Sequence, residues 1–152
     1  MNVQASNSVV KIVKRKHNVH IKYGLTLYKY TPMKQYMIEL EILEGNPGQL
    51  RTDGTYPDFA KEGICAWMYG RLAVGKKFCY PDELGEMCPW LLDSLTGMVR
   101  ALENGGTLPW KYRGTAYEKA IDPDGVTTEF VRCPDPTESG IVVKITRTVV
   151  QE

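Results

Sequence analysis

MCPWLLDSLTGMVRALENGGTLPW, residues 87–110, predicts one amphipathic helix with both of its ends marked in the sequence. Pro89 suits the first helical position because its missing N–H is not needed there, and this places Cys88 at the N-cap. The apolar side chains that follow recur at spacings of three and four, the period of one helix face. They are Leu91, Leu92, Leu95, Met98, Val99 and Leu102. Two glycines at 105 and 106 favour termination, so we expect a helix over about residues 89–104.

Strand patterns lie on both sides of this helix. Ile38, Leu40 and Ile42 alternate with glutamates, as in a strand with one buried face. A short strand is expected near residues 78–80, and residues 126–132 and 141–150 are expected to form the closing strands. The pattern predicts an α+β fold, with a small, mainly antiparallel sheet or partly open barrel packed on one main amphipathic helix.

The N-terminal part of the chain differs in charge from the rest. Residues 1–38 contain seven lysines and arginines and no acid, which leaves 12 basic and 18 acidic residues, a balance of −6, in the remainder. Strand-like segments at 10–13, 19–23 and 25–30 predict a basic β arm over residues 1–35, before a body at 36–150 of the same single domain. The arm suits an anionic partner or an acidic surface of its own body or of a second copy. We expect a homo-oligomer, and not a nucleic-acid-binding protein, because the cations are dispersed.

Composition bounds the class of protein. The chain has 152 residues, of which 43% are hydrophobic and 24% charged, as in ordinary globular domains. No apolar run approaches the roughly 18 residues of a membrane helix, and the first residues lack the apolar segment of a signal peptide. We therefore expect a cytoplasmic location, no membrane partner and four reduced cysteines.

Cys88 is the sharpest candidate for chemistry. A thiol at a helix N-terminus faces unpaired backbone N–H groups and the positive end of the helix dipole, which favours the thiolate. It could act as a nucleophile, an acid–base group or a metal ligand, or it could be a small buried hydrophobe at a helix start. The four cysteines are 14, 9 and 45 residues apart, which is not a zinc-binding pattern.

A second candidate is the segment Cys133-Pro134-Asp135-Pro136, in which two prolines fix a thiol and a carboxylate at a strand exit. It is a candidate catalytic element together with Cys88, or a rigid turn in which Asp135 bonds its own backbone. Cys65, Trp67 and Trp110 are candidates for the wall of a substrate pocket, although such aromatic residues are often core. Convergence of three cysteines with Asp135 on zinc or iron is a further possibility.

These residues favour an enzyme that acts on a small molecule by thiolate or cysteine–carboxylate acid–base chemistry, of lyase, isomerase or hydrolase type. A metal- or cofactor-binding accessory protein and a non-catalytic interaction module are the alternatives. Both histidines, His17 and His20, lie in the arm, which excludes a Cys-His or Ser-His-Asp arrangement within the body. No Walker A, G-x-G-x-x-G or H-E-x-x-H motif occurs, so the cofactor, if any, is unknown.

Residues 36–150 also resemble a family of small, uncharacterised prokaryotic proteins. The shared features are a G-D-x-F-like turn at 75–78, a Cys-Pro helix start at 88–89, G-G-x-x-P-W at 105–110 and C-P-D-P at 133–136. Lys76 replaces the usual acid of the turn, and residues 1–35 and 46–62 look like additions. The resemblance implies this fold and this cysteine site, and it implies no particular reaction.

Overall fold

The computed structural model describes residues 11–15, 18–22, 34–137 and 140–150, and it divides the chain into two compact units at residue 33/34. In the first unit, β1 (Lys11–Arg15) and β2 (Asn18–Lys22) form an antiparallel two-stranded sheet. These strands agree with the first two segments predicted for the arm. The third predicted segment, residues 25–30, lies outside the described residues.

The second unit is built on a four-stranded antiparallel sheet. Its strands are β3 (Gln35–Glu44), β4 (Lys77–Tyr80), β5 (Val126–Arg132) and β6 (Val142–Val150). They lie in the order β4-β3-β6-β5, so the first and last strands of this unit occupy the centre. The sheet is open rather than closed into a barrel.

Alternation of side chains gives the sheet one apolar and one polar face. Leu40 and Ile42 of β3 pair in register with Ile145 and Val143 of β6, and all four side chains are buried. On the opposite face, two of the three glutamates of β3 pair with lysines of its two neighbours. This two-residue period is what the sequence predicts for a half-buried antiparallel sheet.

One helix, α1 (Pro89–Glu103), covers the apolar face in the described part of the chain. Leu91, Leu95, Val99 and Leu102 are buried, and Met98 packs against the core from its margin. Cys88 is the N-cap and Pro89 the first helical residue, as predicted. A short 3₁₀ helix, Leu84–Glu86, leads into this start and was not predicted.

The predicted glycine stop is also observed. Gly105 has φ +76°, a conformation that costs glycine little. Its N–H bonds the carbonyl of Leu102 at 2.9 Å, and the N–H of Gly106 bonds the carbonyl of Ala101 at 2.8 Å. These two bonds are the Schellman arrangement that satisfies the last carbonyls of a helix.

The α+β fold predicted from the sequence is therefore confirmed, with an open antiparallel sheet packed on one amphipathic helix. Within the part of the chain that the structure describes, no helix combines the length and the apolar character that crossing a membrane would need.

Candidate functional site

Two of the cysteines lie at one end of the sheet, where β3 and β5 end on either side of the start of β6. Cys133 follows the last residue of β5, and its N–H bonds the carbonyl of Ile141, next to the start of β6. The N–H of Cys65 bonds the carbonyl of Asn46, just beyond the end of β3. Both side chains are buried in the core that α1 covers, and Cys88 packs against that core. The antiparallel order of β3, β6 and β5 thus brings distant parts of the sequence together.

Cys88 is the partly buried member of this cysteine group. It makes no side-chain hydrogen bond to the helix start, and the first turn of α1 contains no acidic residue. The positive end of the helix dipole therefore has no compensating carboxylate from its own first turn. The reactivity expected of Cys88 from its place at the helix start stays a prediction.

Cys133 is more deeply buried than Cys88. Burial raises the pKa of the Cys133 thiol above its ordinary value, although a hydrogen bond from the backbone N–H of Asp135 acts against this. Cys88, Asp135 and Cys65 all lie close enough to raise that pKa further. Burial in this environment favours the neutral form of the Cys133 thiol. The convergence of the three cysteines with Asp135 on one site stays a prediction.

Asp135 is engaged within its own turn. Its Oδ1 accepts hydrogen bonds from the backbone N–H of Thr137 at 2.9 Å and from the Thr137 hydroxyl at 2.7 Å. These bonds agree with the alternative prediction for the Cys-Pro-Asp-Pro segment, a rigid turn held by Asp135. They fix the Asp135 carboxyl group in the turn that follows Cys133. The catalytic role of Asp135 stays a prediction.

The three predicted pocket-wall residues have different surroundings. Cys65 is buried, and Trp67 packs against the core while its Nε1 donates to the carbonyl of Glu86 at 3.0 Å. Trp110 is 56% exposed, in the segment after α1. Their role in substrate binding stays a prediction.

A surface pocket of about 200 Å³ lies next to both cysteine–proline motifs. Its lining residues are Trp90 and Asp93 of α1 and the two prolines of the 133–136 turn. Trp90, which the sequence analysis did not select, follows Cys88-Pro89 directly and is exposed. The pocket gives a small molecule a place beside the helix start.

All four cysteines are free thiols, and Cys79 on β4 is exposed away from the core. Among the residues that the structure describes, no three His, Cys, Asp or Glu side chains are grouped so that they could hold a metal ion. Cys88 and Cys65 thus act electrostatically on Cys133, but the three thiols are not arranged as a set of metal ligands.

A buried ion pair was missed by the sequence analysis. Lys119 Nζ lies 2.9 Å from both carboxylate oxygens of Glu129, and the two side chains are 0% and 3% exposed. The Glu129 carboxylate also accepts from the Thr107 hydroxyl at 2.6 Å and the Leu108 N–H at 3.1 Å. Lys119 completes the network by donating to the carbonyl of Leu108. The one sequence signal for the burial of Glu129 is its place within a predicted strand, between Thr128 and Phe130.

This network gives part of the G-G-x-x-P-W segment a structural role, because Thr107 and Leu108 bind the carboxylate. Comparison with protein families, with curated proteins and with solved structures finds no match to this chain. The family resemblance of residues 36–150 therefore stays a prediction.

Proposed function

We propose that this protein is an enzyme that acts on a small molecule through the thiolate of Cys88, in a reaction of lyase, isomerase or hydrolase type. Cys88 is the nucleophile or base. Cys133 is the neighbouring neutral thiol that can give up or receive a proton, and Asp135 holds that turn and supplies a nearby carboxyl group. The substrate lies in the pocket beside Trp90, and Cys65 and Trp67 lie on the core side of Cys88 and Cys133.

The observation that carries this proposal is the contrast between Cys88 and its neighbours. Cys88 is partly buried at an uncapped helix start, and Cys133, on which its charge acts, is buried in the core next to the turn that holds Asp135. Titratable groups that lie in different environments at one place are typical of acid–base sites. The adjoining pocket supplies the space that such chemistry needs.

An activated ester tests the proposal. We expect 4-nitrophenyl acetate to transfer its acetyl group to the Cys88 sulfur with release of 4-nitrophenolate, because a thiolate attacks an acyl carbon. Mass spectrometry then locates the acetyl group. Cys88→Ala should abolish the burst of nitrophenolate, and Cys79→Ala, which removes the exposed thiol on β4, is the matched control. Acetylation at Cys79 with none at Cys88 would refute a nucleophilic Cys88.

The second candidate is an interaction module, favoured by the basic hairpin β1–β2. Two-stranded hairpins are marginal by themselves in water, and a chain with an acidic remainder offers a complementary surface on a second copy. We propose that the protein is a homo-oligomer that the arm helps to hold together, which is compatible with an enzyme. A metal- or cofactor-binding accessory role has no comparable support in the described residues.

The free thiols of this proposal require a reducing compartment, and we propose the cytoplasm as the location. The proposed ligand is a small organic molecule.

A further inference from the structure

A second pocket, on the opposite face of the sheet from α1, has a different character from the cysteine site. It has a volume of about 200 Å³ and is lined by Tyr112, Tyr117, Phe130, Arg132 and Val142. Phe130 and Arg132 of β5 alternate with residues of the core face, and Arg132 pairs in register with Val142. Pockets for drug-sized ligands have volumes of roughly 300–1,000 Å³. This pocket therefore fits a compound with a single ring.

Aromatic rings form its walls. The rings of Tyr117 and Phe130 meet edge to face, with centroids 5.5 Å apart and planes at 66°. The Tyr117 hydroxyl donates to Glu44 Oε1 at 2.7 Å, which fixes this ring from its polar end. Rings held in this way present edges and faces to a further aromatic ring.

Tyr112 forms a third wall of the pocket and has a strained backbone conformation. It has φ +49° and is the only non-glycine residue with positive φ among the described residues. The Tyr112 carbonyl accepts from the N–H and the hydroxyl of Thr115, and the Lys119 N–H bonds the carbonyl of Lys111 to close the loop. Lys119 Nζ lies 5.4 Å from the centroid of the Tyr112 ring, which is still 51% exposed. Backbone strain at a residue with an exposed aromatic ring is typical of a binding site.

Arg132 supplies a charge at the rim of the pocket. Its guanidinium donates to the Tyr117 hydroxyl at 3.2 Å, the Gly140 carbonyl at 3.3 Å and Glu44 Oε2 at 3.4 Å. All three distances are at or beyond the long end of the normal range for N–H···O bonds, and the side chain is 58% exposed. A ligand carboxylate can therefore take a closer, bidentate geometry on this guanidinium.

We propose that this pocket binds a small aromatic carboxylate, with its ring between Tyr112, Tyr117 and Phe130 and its carboxylate on Arg132. Glu44 is the weak partner of Arg132, and it competes with the ligand for the guanidinium charge. This site is independent of the proposed thiol chemistry of Cys88.

Sodium benzoate is the probe, and benzamide is its neutral isostere. We expect benzoate to bind in the millimolar range or tighter by isothermal titration or by chemical-shift changes at Tyr112 and Phe130. Benzamide should bind roughly tenfold more weakly or worse, because a hydrogen bond to a charged group is lost. Equal or tighter binding of benzamide would overturn the choice of a carboxylate.

Two rim variants should change benzoate affinity in opposite directions. Arg132→Gln removes the cation and should weaken binding roughly tenfold or more. Glu44→Gln removes the competing negative charge and should tighten it, which a misfolded protein would not do. Arg51→Gln, at an exposed arginine paired with Glu62, is the matched control. Unchanged affinity in Arg132→Gln, or weaker binding in Glu44→Gln, would overturn the assignment.

Tyr112→Ala tests the aromatic wall of the pocket. Tyr56→Ala, which removes an exposed tyrosine outside the pocket, is the matched control. Benzoate binding should fall in the first variant and stay unchanged in the second. An absence of benzoate binding to the parent protein at tens of millimolar would overturn the proposal as a whole.

Discussion

Lys119 and Glu129 place two full charges in the apolar interior beside the end of α1. Such a pair is stable only when the charges are matched and the remaining polar atoms are satisfied. Here Thr107 and Leu108 provide the additional hydrogen bonds, so that the segment after the helix is attached to β5. The pair therefore fixes the path of the chain from the helix toward Trp110.

The first prediction concerns this pair. Lys119→Met leaves the Glu129 carboxylate buried without its counter-charge, and we expect a loss of about 3–5 kcal/mol in the free energy of unfolding. Urea unfolding followed by circular dichroism measures this.

The double variant Lys119→Met/Glu129→Gln is the control for that loss. It removes both charges, while the glutamine oxygen can still accept from Thr107 and Leu108. It should recover a large part of the stability. A single variant as stable as the parent protein would mean that the two charges are not buried together.

At the scale of the element, α1 is the part of the structure that local sequence determines most completely. Pro89 marks its start, and Gly105 and Gly106 mark its end. The buried stripe has the predicted period of three and four, because a helix on one face of a sheet must bury one side and expose the other. Val99 is its third buried residue, and Met98 lies at its margin. Leu95 lies in the middle of that stripe and is buried.

Leu95→Ala should lower the free energy of unfolding by about 2–5 kcal/mol, as expected for the truncation of a core leucine. Leu50→Ala, the same change at an exposed leucine in the loop after β3, is the matched control and should change it little. The urea midpoints of both variants decide the matter. An unchanged midpoint in Leu95→Ala would contradict the packing of this face on the sheet.

At the scale of the whole molecule, the strands could be predicted individually, but their order could not. Ile38, Leu40 and Ile42 show a strand by alternation, whereas the pairing of β3 with β6 joins residues about a hundred positions apart. No local pattern contains that pairing. The position of Cys65 near Cys133 depends on the same strand order. The sequence therefore identifies these two cysteines as candidates, but it does not show that they lie close together.

The burial of charged residues was not predicted either. Lys119 and Glu129 are buried although buried charges are rare unless they are paired. Arg147 is buried as well, with its guanidinium on the Thr127 hydroxyl and 4.7 Å from the centroid of the Tyr36 ring. Their partners come from other parts of the chain, and a sequence pattern does not show them.

Deletion of residues 1–33 tests the proposed role of the arm. The deletion keeps Lys34, which forms an ion pair with Asp124 in the body. We expect light scattering to give an oligomer for the full chain and a monomer for the shortened one. A full chain that is monomeric at micromolar concentration would contradict the proposal, as would a shortened chain that stays oligomeric.

The most direct test of the thiol site is the rate at which iodoacetamide labels each cysteine, measured by mass spectrometry across a range of pH. Cys79 is exposed and Cys88 is only partly so, and faster labelling of Cys88 would therefore reflect its thiolate rather than its access to reagent. We predict that Cys88 is labelled fastest near neutral pH. Cys133, with its raised pKa and its burial, should react slowly until the pH is well above neutral. Labelling of Cys88 no faster than that of Cys79 at neutral pH would contradict the proposed function.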